Sequence, residues 1–176
     1  MRNLFTLAAL VALVLAIGSV QAQTVGSYDT MELSGQPAPE IALKTLAGKE
    51  VKLSDQKGKV VMVDMWATWC PPCRASLPHV QEVATNKALA EKGLVVWAVN
   101  QRENPAKVKA FLAKNKYDFT VLMDAHGQAA RAYGVRGIPT TVIIGRDGKV
   151  ANVFIGFGQG SAQAIDAALE KALAAK

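Results

Sequence analysis

The sequence is poor in the residues on which disulfide frameworks, metal clusters and nucleic-acid surfaces depend. Its 176 residues include two cysteines and two histidines, and they contain no dense lysine or arginine run interleaved with aromatic residues. Two cysteines cannot belong to a larger structural disulfide framework. A chain without a basic and aromatic patch gives little support to nucleic-acid binding. Internal repeats are also lacking, so this length predicts one domain.

The composition is that of a globular chain with a mild positive charge. About half of the residues are hydrophobic, 51%, which is enough for a substantial core. The formal net charge is +6, and loss of the first 22 residues would remove only Arg2 and leave +5. Such a charge favours an acidic partner or an anionic membrane surface only weakly.

The N-terminus has the pattern of a targeting segment. Arg2 precedes the apolar run Leu4 to Ile17, and Val20-Gln21-Ala22 resembles a signal-peptidase site. We expect a signal peptide over residues 1–22. The alternative is an uncleaved anchor, because the apolar run approaches the length of about 20 residues that spans a bilayer. Both alternatives export the rest of the chain.

Export determines how the cysteine pair is interpreted. No cysteine follows the apolar run directly, which excludes a lipoprotein. Residues 23–36 are polar and predict a loose leader, and residues 37–176 then form the domain. We expect a periplasmic or other extracytoplasmic location in a bacterium, soluble after cleavage. In an oxidising compartment, a lone and closely spaced cysteine pair is either a redox couple or a local clip.

The pair follows a buried strand directly. The β-branched run Val60 to Val63 predicts a strand covered on both faces. A helix is expected to begin at Pro71, since proline suits a first helical turn. Cys70 would then lie at a helix N-terminus, where the helix dipole and free N–H groups stabilise the nucleophilic thiolate.

The rest of the chain alternates between strand and helix patterns. Alternation of this kind predicts right-handed crossovers and a parallel central sheet portion. The predicted elements are a hairpin of 41–44 and 50–53, strands at 94–100, 119–123, 139–145 and 150–155, and helices at 71–90, 105–115, within 124–135, and from a cap at Ser161 onward.

The run Asp64-x-Trp66-Ala67-x-Trp69-Cys70-x-Pro72-Cys73 resembles the active-site segment of thioredoxins, and so does the downstream Ile138-Pro139-Thr140. The longer run from Gly58 to Arg74 resembles the exported TlpA/ResA-like branch. That branch contains membrane-facing thiol–disulfide reductases, including those of cytochrome c assembly. The resemblance implies an α/β thioredoxin fold with a central mixed sheet, an N-terminal β-hairpin, and an αβ insertion over 104–123.

The resemblance assigns roles to three residues. Cys70 would be the attacking thiol and the more exposed cysteine, and Cys73 would resolve the mixed disulfide. Asp64 would be a buried acid with a raised pKa that relays the proton of Cys73. The alternatives are a structural disulfide for the cysteines and a hydrogen-bonding role alone for Asp64.

The predicted substrate-binding residues surround the pair: Trp69, Pro71, Pro72, Ile138 and Pro139. The Ile138–Pro139 bond is expected to be cis, which leaves the backbone of Ile138 free to pair with an extended substrate. Trp66 is expected in the core. Neither Pro71 nor Pro72 has an N–H, so few donors remain for a Cys70 thiolate. The double proline therefore favours a reducing couple.

Five positions depart from the pattern or stand alone. Many TlpA-like chains have asparagine where this chain has Asp64, and Ala98 stands where thioredoxin has a partnering lysine. Ser76 replaces the glutamate usual in reductases of cytochrome c assembly, which places narrow specificity for apocytochrome in doubt. His79 is predicted on a helix surface and His126 in a turn, neither as a ligand.

The sequence thus predicts an exported enzyme that reduces disulfides in client proteins through a Cys70–Cys73 dithiol, without a cofactor or metal. A membrane thiol-electron transporter would recharge it. Two alternatives remain. One is a thiol peroxidase, although that chemistry requires Thr or Ser at the position of Ala67. The other is a Cu(I) carrier in oxidase assembly, in which the two thiolates hold the metal.

Overall fold

The computed structural model describes residues 30–175, with side chains from Glu32 onward. The predicted signal peptide and the first half of the predicted leader, residues 23–29, lie outside the described residues. Strands and helices alternate as expected. The strands are β1 (Ala42–Thr45), β2 (Glu50–Lys52), β3 (Val60–Trp66), β4 (Leu94–Gln101), β5 (Val121–Asp124), β6 (Thr140–Ile144) and β7 (Val150–Ile155). The α-helices are α1 (Pro71–Thr85), α2 (Lys87–Glu91), α3 (Pro105–Asn115), α4 (Gln128–Ala132) and α5 (Ser161–Ala174).

The strands form one mixed sheet in the order β2-β1-β5-β4-β3-β6-β7. β3, β4 and β5 are parallel, whereas β6 runs antiparallel to β3 and β7 antiparallel to β6. β1 and β2 form the predicted hairpin, which joins the sheet through β5. The predicted mixed sheet, hairpin and αβ insertion are therefore all present, the insertion as α3 and β5.

The sheet separates two cores because successive side chains of a strand point to opposite faces. One face carries Met62 and Trp66 of β3 and packs with α1, α3 and α5. The other face carries Val63 and Met65 and packs with Tyr133 and the N-terminal segment. Every residue of β3 is buried, as the apolar run predicts. β3 is therefore the central strand from which the cysteine pair follows.

The chain around the predicted start of the domain is part of the fold. A short 3₁₀ helix spans Thr30–Leu33, and Leu33 is 1% exposed. The Gly35 amide donates to the carbonyl of Val150 at 2.8 Å, and Pro37 forms an isolated bridge with Lys149. The folded region thus includes residues of the predicted leader, because Leu33 fills a place in the core.

Two helix boundaries differ from the prediction. The helix expected over 71–90 breaks at Asn86, whose extended backbone lets its side chain accept from the Leu89 amide and begin α2. Ser161 is not the cap of α5. Gly160 takes the N-cap position with φ of 79°, and the Ser161 hydroxyl instead accepts from the Gly158 amide at 2.9 Å.

No α-helix within residues 30–175 is long and apolar enough to cross a membrane.

Candidate active site

The two cysteines form a disulfide at the beginning of α1. Their Cα atoms lie 5.2 Å apart, and Cys70 is the N-cap residue that directly precedes Pro71. A helix N-terminus leaves backbone N–H groups without helical partners. Cys70 is 3% exposed and Cys73 0%. Cys70 is thus the more accessible cysteine by a small margin, and in the disulfide form both are buried.

Two backbone groups approach the Cys70 sulfur. The Cys73 amide donates to Cys70 Sγ at 3.2 Å, as the double proline predicts. On the other side, Cys70 Sγ lies 3.5 Å from the carbonyl oxygen of Ile138. The Ile138–Pro139 peptide bond is cis, which confirms the prediction. One donor and one facing carbonyl give a thiolate at Cys70 little stabilisation.

The rim of the site is apolar and exposed. Trp69 is 61% exposed, and Pro71 and Pro72 are also exposed, whereas Trp66 is fully buried. The burial of Trp66 confirms its prediction as a core residue, and the other three side chains are accessible from solvent. Ile155, 56% exposed, pairs with Thr140 beside the cis-proline and was not predicted from the sequence. Its exposure is visible only once β7 is placed next to β6.

Asp64 is buried in β3, with one directly paired residue on each of the two neighbouring strands. The register places it between Thr141 of β6 and Ala98 of β4. It occupies the alternating β3 position between Met62 and Trp66, so it faces the core that contains Cys73. The absence of a lysine at Ala98 is therefore a feature of the folded site as well as of the sequence.

The electrostatics of Asp64 follow from this position. Burial raises its pKa to about 7, although a hydrogen bond from Thr141 Oγ1 to Asp64 Oδ1 at 2.8 Å acts in the opposite direction. The predicted rise in pKa is confirmed. Asp64 Oδ2 makes no hydrogen bond within the described part of the chain. Sequence analysis missed Thr141, because a threonine in a strand gives no sign of which side chain it contacts.

A second buried carboxylate, Glu103, also lies beside the site and was not predicted. It follows β4, and its side chain is 4% exposed. Thr68 donates to it twice, through its amide to Oε2 and its hydroxyl to Oε1, both at 2.6 Å. Asn100 Nδ2 donates at 2.9 Å, and Lys107 Nζ lies 2.7 Å away. The sequence offers one indication of this role, which is that Glu103 lies between the end of a buried strand and the start of a helix.

Glu103 therefore retains its charge despite its position. Burial by itself raises its pKa, but the hydrogen bonds from Lys107, Thr68 and Asn100 outweigh burial and hold the pKa below the ordinary value. Charge-assisted hydrogen bonds of this kind are about twice as strong as neutral ones. The two carboxyl groups therefore differ, because the pKa of Glu103 is lowered whereas that of Asp64 is raised to about 7.

The remaining candidates lie outside the reacting centre. Ser76 is buried, and its hydroxyl donates to the Cys73 carbonyl at 2.9 Å. The side chain of His79 is 10% exposed and lies 2.9 Å from Asp166, so its prediction as a surface residue is wrong. His126 is exposed in a turn, as predicted. Residues 30–175 contain no group of three or more His, Cys, Asp or Glu side chains suited to a metal ion.

The fold and the site define a class: a thioredoxin-fold thiol–disulfide oxidoreductase. A family model described as Redoxin matches residues 33–169, and the chain belongs to that family. It is 34% identical to the thiol-disulfide oxidoreductase ResA of Bacillus cereus over 149 residues, 85% of each chain. It is 33% identical to ResA of Bacillus subtilis over 147 residues, 84% of this chain and 81% of the relative.

Solved structures agree with this assignment. A Chlorobium tepidum protein described as a thiol:disulfide interchange protein of the DsbE type is 40% identical, with a TM-score of 0.73 over 80% of this chain and 97% of that one. StoA from Bacillus subtilis is 25% identical, with a TM-score of 0.63 over 74% of this chain and 96% of that one. The predicted thioredoxin fold and the predicted enzyme class are confirmed.

Proposed function

We propose that the protein is exported and that it works as a reductase of disulfides in client proteins. The observation that carries this direction is the surroundings of Cys70 Sγ, which include one amide donor at 3.2 Å and a carbonyl oxygen at 3.5 Å. A carbonyl accepts a hydrogen bond from a thiol but repels a thiolate, so it favours the neutral form. Strong oxidants depend on a stabilised thiolate. This couple lacks such stabilisation and favours donating electrons.

The reaction then has two steps. A Cys70 thiolate attacks one sulfur of the client disulfide and releases the other as a thiolate, which forms a mixed disulfide. Cys73 loses its proton to Asp64 and attacks Cys70, which forms the Cys70–Cys73 disulfide and frees the reduced client. The pKa of about 7 suits Asp64 to accept that proton at neutral pH. Two electrons pass from the dithiol to the client.

The rim of the site would bind the client. The backbone of Ile138 lies next to the Cys70 sulfur and is positioned to pair with an extended segment on either side of a client cysteine. The exposed face of Trp69 and the rings of Pro71 and Pro72 offer apolar contact. ResA relatives and the apolar N-terminal run support export, and a membrane thiol-electron transporter would return the protein to its dithiol form.

The direction is tested by the equilibrium reduction potential of the couple in glutathione and dithiothreitol buffers. We expect a value nearer that of thioredoxin, about −270 mV, than that of DsbA, about −120 mV. A potential above about −150 mV would overturn the reductase assignment and indicate an oxidase.

The two cysteine roles are tested by trapping. In Cys73→Ala the mixed disulfide cannot be resolved, so we expect covalent client complexes on non-reducing gels. Cys70→Ala is the matched control and should trap none, because Cys73 is fully buried. Faster alkylation of Cys73 than of Cys70 in the reduced protein would show that the roles are reversed.

A further inference from the structure

The turn that presents Cys70 is anchored from outside the cysteine motif. The amide of Cys70 donates to the carbonyl of Ala67 at 3.2 Å, which closes the turn Ala67–Cys70. Thr68 lies inside this turn, 6% exposed, and both its amide and its hydroxyl donate to the Glu103 carboxylate. The next residue, Trp69, points to solvent. The conformation of the turn therefore depends on a side chain that is 35 residues away in sequence.

Glu103 is itself held firmly. Asn100, at the end of β4, and Lys107, in α3, contact the same carboxylate. Trp66 and Phe111 of α3 have ring centroids 5.6 Å apart, which packs α3 against the end of β3. The turn is thus fastened to the insertion of α3 and β5, and that insertion has a structural link to the redox centre.

The backbone before Glu103 adopts a conformation that non-glycine residues rarely take. Arg102 has φ of 54°, in the left-handed region. For a residue with a Cβ this conformation is strained and persists only where the surroundings impose it. The next residue, Glu103, is the one whose carboxylate reaches Thr68. A strained backbone at Arg102 thus directly precedes the residue whose side chain anchors Thr68.

We propose that Glu103 is a positioning residue for the Cys70–Cys73 couple, which holds the turn Ala67–Cys70 in the geometry of the disulfide through its two hydrogen bonds to Thr68. Holding two reacting groups in bonding geometry raises their effective concentration. Fixing this turn favours closure of the disulfide and speeds the attack of Cys73 on a mixed disulfide. The proposal rests on the proposed function only in taking Cys70–Cys73 as the functional couple.

The test is the equilibrium of the couple with glutathione, in which two molecules of reduced glutathione convert the disulfide to the dithiol and form one molecule of oxidised glutathione. In Glu103→Gln we expect the equilibrium constant to shift at least about threefold toward the dithiol, because glutamine keeps only one acceptor oxygen and no charge, so that Thr68 is held less firmly and the effective concentration falls. Thr68→Val keeps the charge and removes only the hydroxyl contact. It should shift the constant in the same direction by less.

Asp124→Asn is the matched control. Asp124 is a fully buried acid at the end of the adjacent strand β5, and it accepts hydrogen bonds from the amides of Gln128 and Ala130 instead of from Thr68. This variant should lose stability and leave the glutathione equilibrium unchanged, since a structural loss common to both redox forms cancels. An equal shift in Asp124→Asn and Glu103→Gln would overturn the proposal.

A second control separates geometry from charge. Lys107→Met leaves the contacts between Glu103 and Thr68 in place but removes the adjacent positive charge. Because Lys107 also helps to hold the carboxylate, we expect a shift in the equilibrium constant that is smaller than that of Thr68→Val. A shift in Lys107→Met together with an unchanged constant in Thr68→Val would show that charge acts instead of position, and would overturn the proposal. Failure of the wild-type protein to exchange with glutathione would instead count against the proposed function.

Discussion

Asp64 and Glu103 are two buried carboxylates that the protein surrounds in opposite ways. Asp64 receives one hydrogen bond, from Thr141, and its pKa is raised to about 7. Glu103 receives hydrogen bonds from Thr68, Asn100 and Lys107, and its pKa is lowered. Burial therefore does not decide the charge of an acid by itself, because the number of donors decides whether the charge persists. The site combines an exchangeable proton with a fixed anion.

The largest effect should come from removing the charge of Asp64. The rise from 3.8 to about 7 means that ionised Asp64 costs the fold up to about 4 kcal/mol above pH 7, and nothing below pH 4. The unfolded chain loses its proton first, so stability falls as pH rises through this window. In Asp64→Asn the fall should disappear. Urea unfolding of the wild type and Asp64→Asn at pH 4, 6 and 8 measures the free energy of unfolding. Parallel pH profiles of the two proteins would contradict a raised pKa for Asp64.

Glu103→Gln should show the opposite pH dependence. With a lowered pKa, Glu103 contributes stability that is present above its ordinary value of 4.5 and is lost as pH falls below it. At pH 7 we expect a loss of about 2–3 kcal/mol, because buried donors lose a charged acceptor. The difference from wild type should shrink at pH 3. If the difference in unfolding free energy between the wild type and Glu103→Gln grows on acidification, the pKa of Glu103 is not lowered, and the two acids do not differ in the way described.

The raised pKa of Asp64 also predicts an effect on the rate at which the mixed disulfide is resolved. If Asp64 takes the proton of Cys73, Asp64→Asn should slow resolution of the mixed disulfide by about tenfold or more, most clearly below pH 7, where few thiols ionise unaided. Stopped-flow tryptophan fluorescence reports on this step, since Trp66 and Trp69 flank the site. Asp124→Asn is the control and should keep the wild-type rate. Coincident rates of Asp64→Asn and wild type at all pH values would leave Asp64 a structural role alone.

The smallest effect concerns the single donor to Asp64. Thr141→Val keeps the side-chain shape and removes the hydrogen bond to Asp64 Oδ1. The pKa of Asp64 should rise further, by about one unit, as expected for one net hydrogen bond. Carboxyl ¹³C NMR of labelled aspartate gives the titration midpoint directly. An unchanged midpoint would show that Thr141 does not contribute to the pKa of Asp64.

The parts of the site that the sequence predicts are those with local patterns. The cysteine pair, the proline at the helix start, the buried strand Val60 to Val63 and the cis bond at Pro139 each have a signature within a few residues. The raised pKa of Asp64 was also predictable, because an acid within an apolar strand is desolvated wherever the strand lies.

The missed features depend on contacts between distant segments. Thr68 and Glu103 meet because β3 and β4 are parallel neighbours and end at the same edge of the sheet. His79 is covered because Asp166 of α5 lies beside it. Ser161 matched the preference for a cap, but Gly160 adopts the backbone angle that ends the preceding loop. Local propensity gives the residue types, and only the tertiary arrangement selects their partners.

The bridge between Pro37 and Lys149 determines on which side of the fold the described chain begins. Lys149 belongs to the turn between β6 and β7, whereas the cis-proline precedes the opposite end of β6. The described chain therefore begins at the edge of the sheet opposite to the one that carries the disulfide. A fusion partner or surface attached directly before Thr30 should therefore lie away from Trp69 and the cysteines and leave them accessible to large clients.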